Sequence, residues 1–203
     1  MTFAMLCACN NNVCKISGTL TEPVDSVRLM DMAGALLDVA AVKDGAFVLQ
    51  CERNPETGVG IVLGEDYDPI ALIPDTKKIT VSMSEGIPVV TGSPLSQELQ
   101  ELQRWAMTTY SENIEQIVAL MEDGDTIGAE AVGAEMNELM ATHCREVYKE
   151  HQTDALGLQA MGLLMNFIDE EEFINLYEQS SKIIQEDAEI GGFYEYLKSM
   201  PKN

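Results

Sequence analysis

The sequence predicts an α+β fold, an N-terminal antiparallel β-sandwich of about eight strands followed by a C-terminal helical domain of four or five helices. Three observations carry this reading. From Val13 to Thr91 short β-type runs are separated by turn residues at intervals of about 8 to 12 positions, the spacing of an all-β sandwich. At Gly92 the apolar pattern changes to helical spacing. Charge steps at the same place: residues 1–92 hold 12 acids against 6 bases, and residues 93–203 hold 22 against 6. The expected divisions are therefore 1–12, a processed leader and polar tether; 13–92, the β-sandwich; and 93–203, the helical domain.

The eight strands are expected near Val13 to Leu20, Ser26 to Met30, Leu36 to Ala41, Ala46 to Cys51, Val59 to Leu63, Ile70 to Ile73, Lys78 to Ser82 and Ile87 to Thr91. Asp44-Gly45 between two apolar runs is a hairpin signal, because both residues tolerate positive φ. Pro74-Asp75 marks another turn. Alternation assigns Cys14, Ile16 and Gly18 to one face of the first strand and Phe47, Leu49 and Cys51 to one face of the fourth, and these faces meet in the core.

Past Gly92, Ser93 caps a helix and Pro94 suits its first position, where a missing N–H costs nothing. Leu95, Leu99, Leu102, Trp105 and Ala106 recur at helical spacing, and the helix runs to about Met121. Trp105 and Met107, with Leu99 and Leu102, read as an apolar stripe that packs in the core. Glu122-Asp-Gly-Asp125 breaks this helix, and a second spans about Ile127 to Gln152. Thr153 or Asp154 caps a third that ends near Ile168, and two more lie near Glu170 to Gln185 and Gly192 to Met200.

Of 203 residues, 46% are hydrophobic and 23% charged, the balance of a globular protein rather than of a disordered chain. A formal net charge of −22 repels phosphate backbones and argues against a nucleic-acid partner. No apolar run reaches the roughly 18 to 20 residues that span a bilayer.

Met1 to Cys9 reads MTFAMLCAC and is followed by Asn10, Asn11 and Asn12. Leu6-Cys7-Ala8-Cys9 resembles the end of a bacterial lipoprotein signal, in which a Leu and two small residues precede the Cys that receives the lipid. Cys9 is then the lipidated residue and the membrane is a partner through that anchor. A secretory signal opens with basic residues, yet none precedes Lys15, so the leader reads as clipped at its front.

The five cysteines form no C-x-x-C, so the dithiol of a thioredoxin-like enzyme is missing. Cys14 and Cys51 are expected as structural core thiols, with a bridge in an oxidising envelope as the alternative. His143 and His151 lie eight apart on one helix, too far to share a metal, and are read as parts of a solvated face; Cys144, next to His143, points away from it. Asp123 to Glu130 begins like a calcium loop, but Ile127 and Ala134 fall where oxygen ligands are required. Glu65-Asp66-Tyr67-Asp68 is read as a solvated turn, and Asp169 to Glu172 as acids favouring a helix N-terminus. Neither a catalytic residue, a metal site nor a cofactor is expected.

Cys14-Lys-Ile-Ser-Gly-Thr-Leu20, Val27-Arg-Leu29, Gly34-Ala-Leu-Leu-Asp38, Val42-Lys-Asp-Gly-Ala-Phe47 and Val90-Thr-Gly-Ser-Pro-Leu-Ser96, leading into Glu98-Leu99, resemble the DUF4369 domain family. The resemblance covers about Val13 to Leu120. It implies the N-terminal part of Bacteroidetes envelope proteins, often lipoproteins, that continue into a thioredoxin-like thiol:disulfide interchange domain. Here Asn203 comes before any W-C-x-x-C, and the family's own function is unknown, so no functional residue carries over. The expected function is a non-enzymatic cell-envelope lipoprotein module for recognition or spacing, with another envelope protein as a candidate partner. Two alternatives stand beside it: a truncated or split thiol:disulfide oxidoreductase whose thioredoxin domain is missing after Asn203, and an acidic lipoprotein that binds a cation or substrate.

Overall fold

In the computed structural model the alternating segment Val-Cys-Lys-Ile-Ser-Gly-Thr-Leu forms β1 (Val13–Leu20), with Cys14, Ile16, Gly18 and Leu20 on its buried side. The structure describes residues 12–21, 23–64, 67–84 and 86–200. The other strands are β2 (Ser26–Asp31), β3 (Leu36–Ala41), β4 (Ala46–Glu52), β5 (Val59–Val62), β6 (Ile70–Leu72), β7 (Lys78–Ser84) and β8 (Ile87–Thr91). They make two four-stranded sheets, ordered β4-β1-β7-β8 and β3-β2-β5-β6. The fold class is α+β, and the chain divides into two compact units after Ser96.

One part of the expected topology is corrected. The first sheet is mixed, because β1 pairs antiparallel with β4 but parallel with β7, from Lys15 opposite Lys78 to Leu20 opposite Met83. Alternation reports which face a residue occupies and says nothing of strand direction. The long excursion through the second sheet supplies the crossover that a parallel pair needs.

Cys14, Ile16 and Gly18 do not lie across the core from Phe47, Leu49 and Cys51. They are register partners in one sheet, Cys14 opposite Cys51, Ile16 opposite Leu49 and Gly18 opposite Phe47. The hydrophobic core takes Ile16, Leu49 and Ile79 from the first sheet and Leu29, Ile61 and Leu72 from the second. Each of these side chains is at most 1% exposed, so each contributes about 1.5–3 kcal/mol of burial. Gly18 is a close approach: a Cβ there lies 2.0 Å from the Phe47 ring, which covers the glycine.

Asp44 and Gly45 take φ of 51° and 76°, and Lys43 and Ala46 exchange two backbone hydrogen bonds of 2.9 Å across them. This is the expected two-residue hairpin. It joins β3 to β4, which belong to different sheets, and the backbone N–H of Gln50 donates to Asp38 Oδ2 at 2.7 Å. That bond occupies an N–H on the outer edge of β4 which a foreign strand would otherwise find.

The link into the helices is a buried hydrogen-bond knot within the first unit. Ser93 and Ser96 are both fully buried; the Ser93 hydroxyl accepts from the Ser96 N–H at 3.0 Å, as a helix cap does. Ser96 Oγ in turn accepts from the Ile73 N–H at 2.9 Å, so the strand end and the helix start satisfy each other.

Among the described residues six helices follow where four or five were expected: α1 (Pro94–Glu122), α2 (Thr126–Glu150), α3 (Ala155–Leu164), α4 (Glu170–Gln179), α5 (Lys182–Gln185) and α6 (Ala188–Ser199). The expected fourth helix splits at Ser180-Ser181, where Ser180 turns extended and its hydroxyl donates to the Tyr177 carbonyl at 2.7 Å. Of the two candidate caps for α3, Asp154 serves, accepting from the N–H groups of Leu156 and Gly157. The last helix starts before Gly192 because Asp187 caps it. Met107 is 74% exposed and leaves the expected apolar stripe, since two residues rotate a helix by about 200° away from Trp105. Among the described residues, no helix is long and apolar enough to cross a membrane.

Gly18→Ala is expected to destabilise the first unit by about 1–3 kcal/mol through overpacking against Phe47. Phe47→Leu makes room, so the double variant loses less than the two single losses combined. Native-state hydrogen exchange of the β1 amides measures both; strictly additive losses would show that the ring does not press on the glycine.

Candidate functional site

Two constellations stand out, one in each unit. In the helical unit, Glu98, Glu101, Leu102 and Trp105 fall at i, i+3, i+4 and i+7 on one face of α1. They line a cleft of about 310 Å³ with His143 and Val147 of α2 and Leu156 of α3. The Trp105 and His143 rings lie 3.9 Å apart between centroids, tilted by 47°. The floor is therefore aromatic and aliphatic, and the rim is carboxylate.

His151 fixes this rim. Its Nε2 lies 3.0 Å from Glu98 Oε2 and its Nδ1 lies 2.9 Å from Asp154 Oδ2, with 16% of the side chain exposed. Only the imidazolium donates to both carboxylates at once. Asp154 holds the imidazole with one oxygen and caps α3 with the other. Gly157 makes this tight turn possible, because a Cβ there lies 1.7 Å from the His151 carbonyl oxygen. Glu101 is unpaired among the described residues, which leaves one carboxylate of the rim available to a ligand. The histidines thus depart from the expected solvated face: His143 is half-buried against an indole and His151 is clamped between two acids.

The second constellation is Cys14 with Cys51, free thiols placed directly opposite each other on β1 and β4. The Leu20 N–H donates to the Gly45 carbonyl and the Arg53 N–H to the Asn12 carbonyl, both at 2.8 Å. In an antiparallel ladder the hydrogen-bonded pairs alternate, so these two bonds make Cys14 and Cys51 a hydrogen-bonded pair, with Cα atoms about 5.5 Å apart. Cys14 is wholly buried, whereas Cys51 is half-buried in the wall of a cleft of about 320 Å³ that also includes Asp31, Leu37, Glu52 and Asn54.

The two sulfurs are polarised against each other. Cys14 holds its proton far above the usual thiol range, first because its S–H donates to Cys51 and then because it is buried. Cys51 is moved below that range by accepting the same bond, against the opposing effects of burial and of the Asp38 carboxylate. Cys144 is a separate case, pushed up to about 11 by burial alone.

The remaining expected features are structural or fall elsewhere. The lipidation residue Cys9 lies outside the described residues, as do Glu65 and Asp66 of the acidic loop. Asp125 of the false calcium loop caps α2 through the Gly128 N–H at 2.9 Å, and Asp169 caps α4 through the Glu172 N–H at 2.8 Å. Among the described residues, no group of three or more His, Cys, Asp or Glu could hold a metal ion. In the sequence the apolar repeat of this helix reads as core and the interleaved Glu98 and Glu101 as an ordinary solvated face, whereas the structure sets both acids with Leu102 and Trp105 in one cleft.

Thiol reactivity follows thiolate character and exposure. Iodoacetamide at neutral pH is expected to label Cys51 well before Cys14 and Cys144, and the Cys51 rate rises with pH through a midpoint below that of an ordinary thiol. Peptide-resolved mass spectrometry reads this directly; labelling of Cys14 at the rate of Cys51 would contradict the assigned polarity.

No protein-family model, no curated protein and no solved structure matches the chain.

Proposed function

We propose that the protein is a non-enzymatic recognition module of the cell envelope, lipid-anchored at Cys9, whose helical unit binds a cationic group of a partner. The acid-rimmed cleft over Trp105 and His143 carries the recognition part. A lysine or arginine side chain fits its chemistry: the aliphatic stem lies along Leu102 and Val147, and the charged head reaches Glu101 while facing the indole. Its volume is at the lower end of ligand sites, which suits a single side chain rather than a large cofactor. The charge of the surrounding residues 93–203, 22 acids against 6 bases, draws such a ligand in from a distance. In this reading the two sheets form a β-sandwich of the DUF4369 type.

Trp105 is the single tryptophan of the chain, so its emission reports on the cleft. Titration with the peptide acetyl-Lys-Lys-Lys-amide should change that emission saturably, and Glu101→Gln should weaken binding by about tenfold, the value of one charge-assisted bond. A response that does not saturate, or one equal for acetyl-Glu-Glu-Glu-amide, removes the cleft from the reading.

The anchor is checked separately. Cells expressing the protein from its own gene and fed an alkyne fatty acid should tag the protein and not the Cys9→Ser variant. Equal tagging of both rules out lipidation at this residue.

A further inference from the structure

The geometry points to Cys14 and Cys51 as a reversible dithiol/disulfide exchange site, oxidised by a neutral or cationic small disulfide that enters the cleft beside Cys51. The inference rests on the β-sheet unit alone and does not depend on the ligand of the helical unit. Three observations converge. The ladder sets the two residues opposite each other, and its hydrogen-bonded Cα spacing of about 5.5 Å falls within the roughly 4.4–6.8 Å that a disulfide spans. Only one of the two sulfurs is reachable, because Cys51 opens on the cleft of about 320 Å³ and Cys14 is 0% exposed. The reachable sulfur accepts the hydrogen bond of the buried one, which makes it the better nucleophile.

The order of events follows from this asymmetry. The Cys51 thiolate attacks one sulfur of the disulfide RSSR, forming Cys51–S–S–R and expelling RS⁻. Its charge and its hydrogen bond to Cys14 are then gone, and with them the largest cause that holds the Cys14 proton. Cys14 gives that proton to the departed thiolate, and its sulfur attacks Cys51 Sγ and expels the second RS⁻, which takes the Cys51 proton from solvent. Two thiols are oxidised to one disulfide and RSSR is reduced to two RSH.

The register also makes the bond reversible. Side chains of a hydrogen-bonded pair stand farther apart than those of the alternate pairs, so closing the bond strains its geometry, and strained disulfides are the easily reduced ones. The carboxylates select the oxidant: Asp31 and Glu52 line the cleft, and Asp38 acts on Cys51. An anionic disulfide is repelled there and a cationic one attracted.

The test uses the whole chain, incubated with cystamine, which is dicationic, or with oxidised glutathione, which is anionic, then acid-quenched and mapped by mass spectrometry. Expected are a cysteamine adduct on Cys51 first and a Cys14–Cys51 bond later. Cystamine should react about tenfold faster than oxidised glutathione at low ionic strength, with the gap closing in salt. Dithiothreitol should reopen the bond in the folded protein. Cys14→Ala should accumulate the Cys51 adduct, and Cys51→Ala should leave Cys14 unmodified. If either variant fails to fold, the time order of the two wild-type species still decides the matter. A Cys51 that stays reduced while the unfolded chain reacts, a bond from Cys51 to Cys7, Cys9 or Cys144, or a bond that dithiothreitol opens only after unfolding, would each overturn the proposal.

Discussion

The register of β1 is the constraint on which the first unit depends. This strand is inner to its sheet, so one run of eight residues must satisfy β4 on one side and β7 on the other. A slip of one residue would move Cys14, Ile16, Gly18 and Leu20 to the outer face and bring Lys15, Ser17 and Thr19 into the core. Phe47 locks the register from the neighbouring strand by lying over Gly18, the one glycine of β1. The thiol pair is a by-product of the same lock, since the alignment that sets Phe47 on Gly18 sets Cys51 opposite Cys14.

That origin explains why the two cysteines differ although they face each other. Cys14 sits within an inner strand and is shielded on every side, whereas Cys51 sits near the end of an edge strand, where the sheet yields to the loop carrying Asn54 and Thr57. One hydrogen bond between the sulfurs then pushes their acidities apart, because the donor must keep its proton for the acceptor to hold charge. The helical unit builds its site by other means. A single face of α1 alternates carboxylate and apolar residues, so the helix packs with Leu102 and presents Glu98 and Glu101 at the same cleft. The ends of α2 and α3 contribute a hydrogen-bonded clamp through His151 and Asp154, and the glycine at 157 lets the two helices turn closely enough to do so.

Acidic excess is absorbed in part by the helix ends. Asp125, Asp154, Asp169 and Asp187 each accept from backbone N–H groups at the start of a helix, where an anion interacts favourably with the unpaired donors. Few basic residues are available to neutralise the rest, and the described ion pairs of Arg145 with Glu172 and Lys198 with Glu178 are solvent-screened and add little. The excess charge is left to face solvent, where it shapes which partners approach.

The sequence by itself determined the positions of the eight strands, because alternation, turn residues and the Asp44-Gly45 hairpin are local signals that act within a few residues. It also determined where α1 and α4 begin, through Ser93-Pro94 and the acids from Asp169 to Glu172, though not where α5 and α6 begin, and it set the acidic character of the second half. Only the tertiary structure decided strand direction and neighbourhood: β1 and β7 are parallel and adjacent, and no local pattern encodes a pairing across so much intervening chain. It likewise decided that Ser181 reaches the distant Gln152 carbonyl where the helix divides and that His143 meets Trp105, since both contacts depend on what packs beside a residue rather than on its neighbours in sequence. The thiol pair lies between these cases. Alternation put Cys14 and Cys51 on buried faces, but the ladder alone chose the partner and exposed one sulfur, because register is fixed by the fit of whole strands and not by either cysteine.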